Sequence, residues 1–226
     1  MNRLSTLAMA VSAALLMHAF PASAAPSTLG VVKTAKGDIK VTVDASTTDV
    51  KGSTLIYQGS KFVSGADGKA VIRLLPDNGF MEIRPQSSFV LKRVKTKDKR
   101  LRRVVIDNGE VVFGMKKKSE PIQCENAQTQ ATGLKGKFSC RSDEKGVGSF
   151  LVQDGEMSIY NRPKDLTVTV RNGQKAVSDL NGIKVSDATD AELEAVGFRQ
   201  NTLEVDFVNP QTEDFSTLEV EYETNF

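Results

Sequence analysis

What most constrains this chain is a beat: apolar and polar residues alternate in short runs, and a glycine-bearing pair closes nearly every run. Ile39, Val41 and Val43 alternate through Asp38-Ile-Lys-Val-Thr-Val43, the period of a strand with one face in a core. Ala70-Val-Ile-Arg-Leu-Leu75 and Phe80-Met-Glu-Ile83 flank Pro76-Asp-Asn-Gly79, where Asn78-Gly79 accepts the positive φ of a tight turn. Phe89–Val94 and Leu101–Ile106 read as two further strands. Turn pairs recur at Asp67-Gly68, Asn108-Gly109, Asp154-Gly155, Asn172-Gly173 and Asn181-Gly182, and no helical period interrupts them before residue 186. The expected fold is all-β: a solenoid-like or sandwich-like stack of short strands and hairpins, with hairpins at Asn78-Gly79 and Asn108-Gly109.

The last forty residues follow another pattern. Thr189-Asp-Ala-Glu192 has the spacing of a capping box, and Leu193, Val196 and a stop at Gly197 fit a helix of about two turns over 187–196. Two similar strands follow, Thr202-Leu-Glu-Val-Asp-Phe207 and Thr217-Leu-Glu-Val-Glu-Tyr222, with acids on one face. Joined through 209–214 they make an acidic hairpin. The other end reads as a leader: Arg3, an apolar run from Leu7 to Phe20, then Ala22-Ser23-Ala24 as a cleavage site. The alternative, an N-terminal membrane anchor, has an apolar core short for a bilayer. Three parts are therefore expected: a signal peptide over 1–24, a β domain over 25–182, and a helix-and-hairpin extension over 183–226. The mature chain should begin near Ala25 and be periplasmic or secreted, with no membrane-spanning segment.

Catalytic chemistry finds little to work with. The one histidine, His18, lies in the leader, which removes the commonest general base and metal ligand from the mature chain. No nucleophile elbow, phosphate loop or dinucleotide fingerprint is present. No enzyme, cofactor or metal site is expected. Cys124 and Cys140 are the only cysteines and, in an exported chain, read as one disulfide around Thr132-Gly133. A reactive or metal-binding pair is the other reading, without a C-x-x-C or a histidine to complete it.

Charge is balanced overall and polarised along the chain. Without Arg3 there are 29 basic and 28 acidic residues. Between Lys92 and Lys118 stand 11 Lys and Arg against three acids, and between Ser186 and Phe226 stand 11 acids against Arg199 alone. The candidate partner-binding residues are those of the basic connection: Lys92, Arg93, Lys95, Lys97, Lys99, Arg100, Arg102 and Arg103. They read either as an anion-binding finger or as a solvated hairpin tip guarding an edge strand against aggregation. Nucleic acid is not expected, because no aromatic residues interleave the cations.

The order of motifs resembles the periplasmic domain of FecR-type signalling proteins. Gly30 and Gly37-Asp-Ile-Lys-Val match the opening strands of such domains. Gly52-Ser-Thr-Leu55, Gly59, Val63-Ser-Gly-Ala-Asp-Gly68 and Arg84-Pro-Gln-Ser87 match their next stretch. Val105-Ile-Asp-Asn-Gly109-Glu-Val-Val-Phe113, Leu134-Lys-Gly-Lys-Phe138, Val152-Gln-Asp-Gly155 and Gly173-Gln174 match the second half, so the likeness spans about 29–182. The Val-Arg-Gly-Thr-x-Phe signature is altered here: its Thr is missing, and it is one residue short before Phe138. The resemblance implies a β domain acting through binding. It does not carry over the regulation of a cytoplasmic sigma factor, since an exported chain cannot reach one. Two functions are therefore expected in order: a periplasmic binding or scaffold module for an envelope protein or anionic polymer, and a component of a cell-surface signalling system. An enzyme acting on envelope polymers comes last.

Overall fold

The computed structural model describes residues 27–97 and 99–197, together with the backbone of 201–208 and 215–222. The expected signal peptide lies outside the described residues. Among the described residues 65% are strand and there is one short helix. It begins with β1 (Thr28–Lys36), β2 (Ile39–Val43), β3 (Ser46–Asp49), β4 (Leu55–Tyr57) and β5 (Ser60–Ser64). Next come β6 (Lys69–Leu74), β7 (Phe80–Ile83), β8 (Ser88–Lys95), β9 (Arg100–Met115) and β10 (Ile122–Glu125). Then follow β11 (Thr129–Ser142), β12 (Gly148–Asn161), β13 (Leu166–Arg171), β14 (Gln174–Asp179) and β15 (Gly182–Asp187). The helix α1 (Asp190–Val196) precedes β16 (Asn201–Val208) and β17 (Phe215–Tyr222).

Three strands, β9, β11 and β12, are 16, 14 and 14 residues long, and each changes neighbours along its length. Residues 100–108 of β9 pair with β8 and β10, whereas 109–115 pair with β7 and β11. β11 pairs with β10 through 130–133 and with β9 through 136–142. β12 pairs with β14 through 148–152 and with β13 through 156–161. The fifteen strands of the main sheet therefore fold into two layers. One runs β3-β2-β5-β8-β9-β10-β11-β12-β13 and the other β4-β1-β6-β7-β9-β11-β12-β14-β15. Every pairing is antiparallel except β9 with β10. The all-β expectation thus holds in its sandwich form, since solenoid rungs would stack their strands in parallel.

Glycine makes the crossings possible. Gly109, Gly136 and Gly155 have φ of 94°, 101° and 91°, and each sits inside a long strand where it bends. Asn108-Gly109 is therefore no hairpin turn, contrary to the expectation from sequence, and Asp154-Gly155 is no turn between strands. A positive-φ glycine serves a bulge as readily as a turn, and the dipeptide alone does not tell them apart. Asn78-Gly79 does close the β6–β7 hairpin, with Asn78 at φ 58°.

Both layers contribute to a single core. It includes the stacked pair Phe62 and Phe89, ring centroids 4.9 Å apart, and the tilted pair Phe113 and Phe138 at 5.4 Å. Cys124 and Cys140 form the expected disulfide, their Cα atoms 6.5 Å apart. Its place differs from the expected one. Cys124 stands opposite Ala131 in the β10–β11 hairpin, and its bond reaches the second half of β11 instead. The disulfide joins one layer to the other.

The extension follows its sequence closely. Thr189 caps α1, its hydroxyl accepting from the Glu192 amide while Glu192 accepts from the Thr189 amide, so both halves of the capping box are present. β16 and β17 pair with each other antiparallel as a separate two-stranded sheet. Among the described residues no helix is long and apolar enough to cross a membrane.

Candidate functional site

The basic connection of the sequence becomes the β8–β9 hairpin, and its eight cations divide into two groups. Lys92 pairs across the hairpin with Arg103, Arg93 with Arg102 and Lys95 with Arg100. Strand alternation sends Arg93 and Arg102 inward beyond Leu91 and Val104, and there the core ends in a set of ions gathered about buried Arg102. Arg102 is 0% exposed. Its guanidinium donates to the Asp77 carboxylate at 2.8 Å and to the Leu75 carbonyl at 2.9 Å, and lies 3.3 Å from Glu120. Arg93 donates to Glu120 at 2.9 Å and also to Leu75. Asp77 accepts a further bond from the Glu120 amide at 2.7 Å. Burial pushes the Asp77 carboxyl up, but the Arg102 hydrogen bond and the Glu120 and Gly79 amides together hold it below its ordinary value. On the outer face Arg103 donates to Gln123 at 3.1 Å and pairs with Glu125 at 3.4 Å. Three of the eight predicted cations are thus held by the protein itself, and Arg102 is removed from any surface.

The other five, Lys92, Lys95, Lys97, Lys99 and Arg100, are exposed. The same ion network gives them company that sequence distance conceals. The Arg102 amide donates to the Pro121 carbonyl at 2.8 Å, and Glu120 is gripped by both arginines. This ties the 116–121 connection to the base of the hairpin. Exposed Lys117 and Lys118 therefore come to the same end of the sandwich as the hairpin tip. Exposed Lys135 lies there too, at the bend where Gly136 pairs with Met115. Asp77 and Glu120 at the base of the hairpin are engaged by Arg93 and Arg102, whereas exposed Asp154 and Glu156 border one cleft with Lys135. Sequence reasoning passed over Asp77 and Glu120 because the first looks like a turn residue and the second like the end of a lysine loop.

The hairpin is flanked at its base and open towards its tip. β8 pairs with β5 only through 88–91 and β9 with β10 only through 102–105, so Lys95 and Arg100 pair only with each other. Where pairing with β5 stops, the Gln58 carboxamide takes over the Arg93 backbone, accepting from its amide at 2.8 Å and donating to its carbonyl at 3.1 Å.

A second feature lies on the outer side of the other layer, where α1 crosses β11 and β12. Lys175 of β14 grips Glu192 at 2.6 and 2.8 Å, and the Arg84 guanidinium donates to the Ala195 carbonyl near the end of the helix. Val196 is buried beneath it. The Lys175 contact and the Thr189 cap hold the Glu192 carboxyl down at about 2. Clefts of about 700 and 550 Å³ flank the helix, and both are bordered by Glu110, Arg141 and Asp143. Their lining mixes charges of both signs and presents no nucleophile paired with a base.

No protein-family model matches the chain, and no curated protein matches it. The FecR-type likeness therefore stands on the motifs alone. Two crystal structures of a candidate anti-sigma factor from Parabacteroides distasonis ATCC 8503, at 2.50 and 1.65 Å resolution, are similar to it. Each is 16% identical with a TM-score of 0.47. The first covers 66% of this chain and 68% of that one, the second 67% and 68%.

Proposed function

We propose that the protein is an exported, non-enzymatic binding module of the bacterial envelope, and that the basic end of its sandwich engages an anionic envelope partner. One observation carries this reading. Exposed Lys95, Lys97, Lys99, Arg100, Lys117 and Lys118 share one end of the fold, while the acids Asp77 and Glu120 beside them are held by Arg93 and Arg102. Like charges gathered at one end add nothing to folding. A field of one sign steers an oppositely charged partner and raises its association rate, more so at low ionic strength.

The test is crosslinking in intact cells of the native host, comparing the natural chain with the triple variant Lys97→Glu, Lys99→Glu and Arg100→Glu. Arg102 is left in place, since its replacement would disturb the core. The expected result is an unchanged circular dichroism spectrum and loss of a salt-sensitive crosslinked partner. The same partner trapped in the same yield would refute the reading. The order of FecR-type motifs favours a second reading, a component of a cell-surface signalling system. The identity of the trapped protein decides it, a receptor supporting this reading and a structural envelope component the first.

A further inference from the structure

The strands β16 and β17 raise a question that the main sheet does not. They pair in register with Leu203 opposite Val220, Val205 opposite Leu218, Glu204 opposite Glu219 and Thr202 opposite Glu221. Alternation thus places the apolar positions on one side of the ribbon and the acidic positions on the other. Two like charges directly across an antiparallel pair weaken it, and a two-stranded ribbon is marginal in water by itself. After Arg199 the chain carries seven acids and no Lys or Arg. A ribbon of this kind gains most from a cationic surface. The domain it is attached to offers one, the end bearing Lys95, Lys97, Lys99, Arg100, Lys117 and Lys118.

We infer that the acidic hairpin 201–222 is the resident occupant of that basic end within the same molecule, a tethered competitor that any anionic partner must displace. This rests on the reading of the basic end as an anion-binding surface. Reach favours contact within one chain. Three residues, 198–200, separate Gly197 from β16, and they span up to about 14 Å. The eight residues of β16 add about 27 Å. The eight residues of β8, from the base of its hairpin to the tip, cover the same length. A segment on so short a tether meets its own domain at an effective concentration in the millimolar range, far above that of a second copy at micromolar protein. The partner's apparent affinity is then reduced by the fraction of molecules whose basic end is occupied.

The experiment uses the isolated full-length mature chain, half of it labelled with nitrogen-15, and a carbodiimide that joins amines to carboxylates without a spacer. At about 0.01 M salt, links should form from Lys95, Lys97, Lys99, Lys117 or Lys118 to Glu204, Asp206, Glu219 or Glu221. Each linked pair should carry a single isotope. At about 1 M salt, where the Debye length falls from about 30 to about 3 Å, the yield should drop at least about fivefold. A short oligoglutamate peptide added in excess at low salt should also lower it. Linked pairs of mixed isotope would overturn the inference in favour of contact between copies. Absence of these links, or a yield indifferent to salt, would overturn it outright. Neither result touches the capture of a partner in cells, so the two readings fail separately.

Discussion

The Arg102 guanidinium donates to the Asp77 carboxylate at 2.8 Å with the arginine side chain wholly out of water, so the most basic stretch of the chain contains one of its most deeply buried residues. Removing one partner of a buried ion pair costs about 3–5 kcal/mol, because the other is left without compensation. Arg102→Ala should therefore destabilise the fold by that amount in urea denaturation, and Asp77→Asn should add little in the double variant. Lys97→Ala, a few residues away at the exposed tip, should fall within about 0.5 kcal/mol of the natural chain.

Acid should loosen the same junction. Asp77 titrates below its ordinary value of 3.8 in the folded protein, so its contribution is complete above that value and is lost as pH falls further. Stability measured from pH 7 downward should show an inflection below about 4 that Asp77→Asn removes.

The helix has its own window. Glu192 is depressed from 4.5 to about 2, so the contacts to Lys175 and Thr189 are fully present above 4.5 and disappear progressively towards 2. Amide exchange at Leu193, whose N–H donates to the Thr189 carbonyl at 3.0 Å, should quicken across that range. Thr189→Ala should quicken it at neutral pH, consistent with about 1 kcal/mol for a lost cap.

Two glycines with similar backbones should respond differently to the same substitution. Gly155 at φ 91° faces Gly136 across β11 and β12, and a β carbon there would meet the Lys135 carbonyl. Gly173 at φ 74° has nothing within 4 Å of that position. Gly173→Ala should cost about 1–2 kcal/mol for the left-handed backbone alone. Gly155→Ala should cost clearly more, because the bend of β12 must also shift, and thermal melting of the two variants checks the order.

The disulfide should appear in mass spectrometry as a Cys124–Cys140 peptide, with no alkylatable thiol in protein purified without reductant. Closing a loop of this size contributes about 3 kcal/mol. Reduction should then lower Tm by roughly 6–12 °C for a domain of this length.

How much of this was legible in the chain depends on whether the signal is local. Alternation names the strands, and the capping box names α1, because each rests on contacts within a few residues. Asn108-Gly109 misleads because its conformation is local while its partner is not. The strand continues through the bend only because β7 and β11 wait on the far side to receive Glu110 to Met115. The cations of 92–103 misled in the same way. Nothing near Arg102 in sequence distinguishes it from Arg100, and what separates them is Asp77 on another hairpin and Glu120 beyond the bend. The grouping of Lys117, Lys118 and the hairpin tip was out of reach for that reason as well.

The passage of β9, β11 and β12 through both layers bears on how the molecule comes apart. In a sandwich of two independent sheets, one sheet can fray while the other persists, and the exchange of buried amides then falls into separate classes. Here each sheet is made partly of the other's strands, and Cys124 to Cys140 fastens them a fourth time. Within the main sheet neither layer can open and leave the other as a stable remainder. A protease that nicks the 116–121 connection would leave two fragments still threaded through one core. Through such damage the lysines of the β8–β9 hairpin would keep their arrangement until the main sheet gave way, although Lys117 and Lys118 lie in the cut connection itself.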